Sequence, residues 1–296
     1  MSVEAGMQDP KSGSHVTAWQ MADRCSLVIP ACLQVGSLLD EFRSNLRSFR
    51  KQKIGRVIVI CNRLTLMDPQ KLQLALEAEI EGPVEVVFDK ERSVAGAWNR
   101  GIEIAQGHGF STHLITAVDV SVGPGLVGAL LQFGSENPRC AIWSPTARRH
   151  SHVYLSKGNA LPNISGSCDF SCFMLRNSTI SEHGWFDREF KPAYVEDVDY
   201  FVRVVLGGGD ARRLVSIHHR HTVSLTIKQD PEMAHHVRHW RRRNQRRYFR
   251  KWKTRSDNPR IIKEKCFSTP FDSGKPRSWW PEQDRPNYDI AGGIHE

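Results

Sequence analysis

Arg56-Val57-Ile58-Val59-Ile60-Cys61-Asn62 sets five consecutive apolar residues, four of them β-branched, against a closing asparagine. A run that short, with apolar residues at both odd and even positions, reads as a strand buried on both faces. Such strands belong to parallel sheets covered by helices. The chain on either side repeats the pattern. Upstream, Cys25 to Pro30 is a second apolar run stopped by proline, followed by an amphipathic helix over 36–53 with Leu38, Leu39, Phe42, Leu46 and Phe49 on one face. Downstream, Asp68-Pro69 supplies an N-cap and an N1 proline for a helix reaching about Glu81. Gly82-Pro83 breaks that helix before a third strand, Val84 to Phe88. Ser93 opens a helix through Gly101 to Ala105, and Thr112 to Val118 is a fourth strand closing on Asp119. Strands alternating with helices predict an α/β fold with a mainly parallel central sheet. Ligands of such sheets lie beyond the carboxyl ends of the strands, which places Pro30, Asn62, Asp89 and Asp119 around one crevice.

The second half is less regular. Cys140 to Pro145 and Asp169 to Leu175 read as strands, and residues 146–166 between them as a long polar loop of the kind that forms a lid. Ser178 caps a short helix ending at Gly184, and Leu214 to Ile217 is a last strand, followed by His218-His219-Arg220-His221. Between these lies Tyr194-Val195-Glu196-Asp197-Val198-Asp199-Tyr200-Phe201-Val202-Arg203. Val198, Phe201, Val202 and Val205 recur at i, i+3, i+4 and i+7, one face of a helix, with three carboxylates in its first turn. Acids there complement the helix dipole, and Asp199 with Arg203 makes an i,i+4 ion pair. The helix N-terminus is expected to hold the Asp197 pKa low. His219 and His221 share one side if the last strand runs on past Ile217.

Of 296 residues, 40% are hydrophobic and 25% charged, ordinary proportions for a globular protein large enough to bury a core. No apolar run reaches the ~20 residues of a membrane span, and residues 1–23 lack a signal-peptide core, so a cytoplasmic location is expected. The seven cysteines sit mostly inside apolar patterns and read as reduced core residues, not a disulfide framework. The net charge of +9 is local: residues 233–256 hold ten Lys/Arg and no acid, and the remainder is within one charge of neutral. This segment reads as a basic amphipathic helix with Tyr248, Phe249 and Trp252 on one face. It is flanked by a loose arm at 1–23 and, after the main unit at 24–232, by an extended tail at 257–296. The main unit divides near residue 122 into two halves.

The order of these parts resembles the family 2 glycosyltransferases, inverting enzymes of the GT-A (Rossmann-like nucleotide-binding) fold that use nucleotide-diphosphate sugars. The likeness is carried by Leu27-Val28-Ile29-Pro30, by Val57 to Asn62 and by Ser93-Val94-Ala95-Gly96-Ala97-Trp98-Asn99-Arg100-Gly101-Ile102. It continues in Leu114 to Pro124, in Gly184-Trp185-Phe186-Asp187 with Glu196-Asp197-Val198-Asp199 and Arg203, and in His221-x-x-Ser224-x-Thr226. The DxD metal motif of the family is incomplete, with Ala117 at its first acidic position and only Asp119 retained. Cys61-Asn62 and Glu91 also depart from the family pattern.

The resemblance implies a divalent cation, Mn²⁺ or Mg²⁺, held by Asp119 and by His221 or His219. It makes the first half of the main unit a nucleotide-sugar half and the second an acceptor half. It also implies donor contacts from Pro30, Asn62, Asp89, Asn99, Asp119 and Trp185. Asp197 becomes the general base and Glu196 its support. The expected partners are a nucleotide-sugar donor and a hydroxyl acceptor, a glycan or another molecule, with peripheral membrane contact open and the oligomeric state undefined. Arg241, Arg242, Arg246 and Lys251 are candidate contacts for an anionic acceptor, nucleic acid included. The alternative is a non-catalytic nucleic-acid or polyanion binder on a degenerate transferase scaffold.

Overall fold

In the computed structural model, which describes residues 24–33, 36–64, 68–89, 93–147, 164–165, 168–222 and 231–252, nine strands form one sheet. They are β1 (Cys25–Leu33), β2 (Ile54–Leu64), β3 (Val84–Phe88), β4 (Thr112–Thr116), β5 (Val120–Val122), β6 (Cys140–Ala147), β7 (Ile164–Ser165), β8 (Cys172–Arg176) and β9 (Asp210–His221). The helices are α1 (Gly36–Arg47), α2 (Pro69–Glu77), α3 (Val94–Gly107), α4 (Leu126–Glu136), α5 (Asn177–His183), α6 (Glu196–Leu206) and α7 (Pro231–Trp252). None of the described helices is long and apolar enough to cross a membrane. The strand order is β3-β2-β1-β4-β8-β6-β9-β5, with β7 also on β9. β1 to β4 are mutually parallel, β8 enters antiparallel to β4 and β6, and β6 and β9 are parallel.

Side-chain alternation explains the layering. Leu27, Ile29, Val57 and Val59 point to one face and share one core cluster with Leu38, Phe42 and Leu46 of α1, Leu72 and Leu76 of α2, and Leu126 and Leu130 of α4. Val28 on the opposite face belongs to a second cluster, with Trp98 and Ile102 of α3 and Tyr200 and Val204 of α6. Close packing there needs Gly101, because a Cβ on it would stand 2.3 Å from Val28 Cγ1. Ser93 caps α3 by accepting from Gly96 N at 2.9 Å. The six described cysteines are free thiols, and burial pushes those of Cys25, Cys61 and Cys140 up to about 12.

Several elements differ from the sequence reading. β1 does not stop at Pro30 but continues to Leu33. It pairs with β4 only from Ser26 to Val28, so Pro30 lies where the strand is bonded on the β2 side alone and a missing N–H is harmless. The last strand is longer than Leu214 to Ile217 and takes in the histidines. Phe249, expected beside Tyr248 and Trp252, is 52% exposed, whereas those two are fully buried against Phe190, Val195, Val198 and Val202. The arm at 1–23, most of the 146–166 loop, Glu91, Ser224, Thr226 and the tail at 257–296 lie outside the described residues.

His113, fully buried in β4, donates from Nε2 to Asn177 Oδ1 (2.6 Å) and accepts at Nδ1 from Ser26 Oγ (2.9 Å). Burial, opposed by Asn177, pushes its pKa down to about 4. An unfolded histidine protonates near 6.5. As pH falls from there toward 4, the unfolded chain takes up a proton that the folded chain refuses, and stability drops. The expected loss is up to about 3 kcal/mol per such histidine. Urea midpoints measured from pH 7 to 4 should therefore fall more shallowly for His113→Gln than for the parent; equal slopes would refute the assignment.

Candidate active site

Asp119 follows β4 by three residues and directly precedes β5, whose antiparallel pairing with β9 sets Val120 opposite His221 and Val122 opposite His219. The register is locked at its end by Thr222 N donating to the Asp119 carbonyl at 3.0 Å. His221 Nε2 consequently lies 3.2 Å from Asp119 Oδ1, with Asp119 5% exposed. A carboxylate oxygen and an imidazole nitrogen at that separation suit adjacent ligands of one octahedral cation, which at about 2.1 Å each lie about 3 Å apart. No cluster of three or more protein ligands occurs among the described residues. A cation bound here would take Asp119 and His221 as its ligands from the described residues.

His219, on the same side of β9, points to a different partner. It is 1% exposed, and its Nε2 lies 2.9 Å from Ser171 Oγ. The Ser171 hydroxyl donates to Asp169 Oδ1 (2.7 Å), so His219 carries its proton on Nε2 and donates to Ser171. Burial pushes the His219 pKa down to about 4, against the attraction of Asp169, whose Oδ2 is 3.9 Å away. Ser171 N also donates to Asp169 Oδ1 (3.0 Å).

Asp169 links this corner to α6. Its charge is near enough to Asp197 to raise the pKa of that carboxyl, although burial is the larger cause. Asp197 Oδ1 accepts from Val198 N at 2.8 Å, and such backbone donors hold the pKa down without winning. The sequence expectation of a depressed Asp197 pKa is thus reversed: desolvation outweighs the helix terminus. Glu196 is 5% exposed, and burial together with the Asp197 charge pushes its carboxyl well above the usual range. Its Oε2 is buried with no hydrogen-bond partner among the described residues.

The backbone entering α6 is strained. Tyr194 and Val195 have φ of 76° and 80°, a region that a β-branched residue seldom occupies. Its restraint comes from α7. Asn244 of α7, 2% exposed, sets Nδ2 within 3.0–3.2 Å of the carbonyls of Lys191, Ala193 and Tyr194. Further along α7, Trp252 Nε1 donates to Asp199 Oδ1 (2.8 Å), and Lys251 Nζ lies 3.1 Å from that oxygen and 2.9 Å from Asp187 Oδ2. Asp199 Oδ2 accepts from Arg203 Nε at 3.0 Å, and Arg203 also donates to the carbonyls of His183 and Trp185.

The remaining sequence candidates separate into two groups. Pro30, Asn62 and Asp89 are partly buried: Pro30 lies within β1, three residues before its end, Asn62 within β2, two before its end, and Asp89 directly follows β3, its N donating to Cys61 O at 3.0 Å. Asn99 and Trp185 are built into the interior. Asn99 exchanges two hydrogen bonds with the Phe186 backbone (2.8 and 3.0 Å), and Trp185 is 8% exposed. Arg241, Arg242 and Arg246 are exposed, but Lys251 is buried in its two ion pairs and is no part of the outer basic surface. Sequence reasoning missed Asp169, Ser171 and Asn244. The only signal for the first two was an Asp-x-Ser turn beside a strand.

No protein-family model matches the chain, and no curated protein is similar to it in sequence. Solved structures do match, 412 chains in all. One is the crystal structure of GalNAc-T7 with UDP, GalNAc and Mn²⁺, 12% identical at a TM-score of 0.54 over 67% of this chain. The chain spans 43% of that protein's length. The fold is therefore of the GT-A glycosyltransferase type.

Proposed function

We propose that the chain is an inverting, family 2-like glycosyltransferase that moves a sugar from a nucleotide diphosphate to an acceptor hydroxyl. The observation that carries this reading is the 3.2 Å approach of Asp119 Oδ1 and His221 Nε2, made by residues far apart in sequence at the carboxyl end of the sheet. The UDP and Mn²⁺ named with the similar structure support a nucleotide donor and a divalent cation here. Held by Asp119 and His221, such a cation would neutralise charge on the leaving diphosphate. Asp197 takes the acceptor proton as the acceptor oxygen bonds to the anomeric carbon and the bond to the diphosphate breaks. Its raised pKa makes it a stronger base than an exposed aspartate. Glu196 orients the acceptor, and Pro30, Asn62 and Asp89 line the donor side.

The test is a thermal-shift panel of UDP, GDP, CDP and dTDP with and without Mn²⁺. One nucleotide should raise the melting temperature only when Mn²⁺ is present, and His221→Ala should remove the metal dependence. No shift from any nucleotide would refute the reading and favour the non-catalytic alternative.

A further inference from the structure

α7 sorts its cations by face. On the docked flank Lys251 pairs with Asp187 and Asp199, and Arg247 lies 3.9 Å from Asp187 and 3.8 Å from Glu189. The opposite face is different. Arg242, Arg246 and Arg250 recur at i, i+4 and i+8, with Arg243, His235 and His239 beside them, and all six are exposed. No carboxylate among the described residues pairs with Arg242, Arg246 or Arg250. Five of these side chains, those of His235, His239, Arg242, Arg243 and Arg246, line one open concavity of about 540 Å³.

The kind of partner follows from what the helix has already used. Its apolar stripe, Val237, Tyr248 and Trp252, is buried against the body, leaving Phe249 as the one exposed large hydrophobic of the described part of the helix. A helix that settles into a bilayer needs that stripe free. What remains outward is a row of guanidiniums about 6 Å apart along the axis, covering about 22 Å from His235 to Arg250. Guanidinium forks match phosphate oxygens, and a row of them matches a chain of phosphates better than a single anion.

We propose that this outer face of α7 binds the phosphate backbone of a nucleic acid without reading its sequence. Three to four arginine–phosphate contacts on a single strand give a slope of log affinity against log salt of about −2 to −3. The site is independent of glycosyl transfer, since it needs neither donor nor cation.

Anisotropy of a labelled 20-nucleotide single strand, titrated with the full chain from 50 to 300 mM NaCl, should return that slope. The triple variant Arg242→Gln/Arg246→Gln/Arg250→Gln should lose at least about 10-fold in affinity at 100 mM salt, with the slope reduced by about 2. The charge-keeping Arg→Lys triple should retain binding. A control triple at exposed cations elsewhere, Lys51→Gln/Lys53→Gln/Arg139→Gln, should bind as the parent does. All substitutions are at the surface, and melting curves check that each variant is folded. Equal losses in the two Gln triples would mean net charge alone and overturn the proposal. Binding to anionic phospholipid vesicles that exceeds binding to the strand, and is lost in the first triple, would overturn it in favour of a membrane surface. Asp197→Asn should leave strand binding as it is, so failure here and failure of the transferase reading are told apart.

Discussion

Asp197→Asn is expected to lower glycosyl transfer by about 100- to 10,000-fold, the range of a positioned general base, with the melting temperature held or slightly raised. The side chain keeps its shape, and the asparagine oxygen still accepts from Val198 N, which donates to Asp197 Oδ1 at 2.8 Å. What is lost is the ability to receive a proton. Stability should not suffer, because burial raises the pKa of this carboxyl and thus disfavours the charged form. An asparagine removes that penalty. The same pKa direction predicts the parent's pH profile. As pH falls, kcat/KM should decline through an apparent pKa above the ordinary aspartate value, since protonated Asp197 accepts nothing. Turnover unchanged in the variant would end the assignment of Asp197 as base.

A second large effect is expected at Asp199, two residues along and opposite in role. Asp199→Ala should destabilise the fold by about 3–5 kcal/mol, the penalty for breaking a buried pair by removing one partner. Asp199 is fully buried, and its two oxygens meet Arg203 Nε (3.0 Å), Lys251 Nζ (3.1 Å) and Trp252 Nε1 (2.8 Å). Lys251 keeps Asp187, but Arg203, 2% exposed, loses the carboxylate that its Nε meets, while its carbonyl contacts and its stacking on Tyr200 remain. Urea unfolding followed by Trp fluorescence, with amide exchange across 244–252, measures both the loss and its place. A change below about 1 kcal/mol would mean that the pairing contributes nothing net.

Much of the fold was legible because it depends on local pattern. The apolar run at Val57 to Cys61, the Asp68-Pro69 start and the Ser93 cap each dictate an element without reference to the rest of the chain. The ion pair of Asp199 with Arg203 was legible for the same reason, being four residues apart on one helix. The site was only half legible. Asp119 and His221 were visible as residue types that bind cations, but their meeting depends on the β5–β9 register. Asp169, Ser171 and Asn244 left almost no trace, because their importance arises from contacts with segments tens of residues away. Asn99 and Lys251 show the converse. Each stands in a motif or run that suggested a ligand, and each is occupied by the interior of the protein. The Asp197 pKa was misjudged because sequence shows the helix terminus but not the depth of burial around it.

The clasp of Asn244 on the carbonyls of Lys191, Ala193 and Tyr194 also bears on timing. Glu196 and Asp197 leave the ribosome some forty residues before the helix that fixes the turn in front of them. Until Asn244, Lys251 and Trp252 have followed, the turn at Tyr194 and Val195 lacks every hydrogen bond that α7 gives it. Synthesis from one end thus delivers the two carboxylates first and the helix that braces the turn before them last.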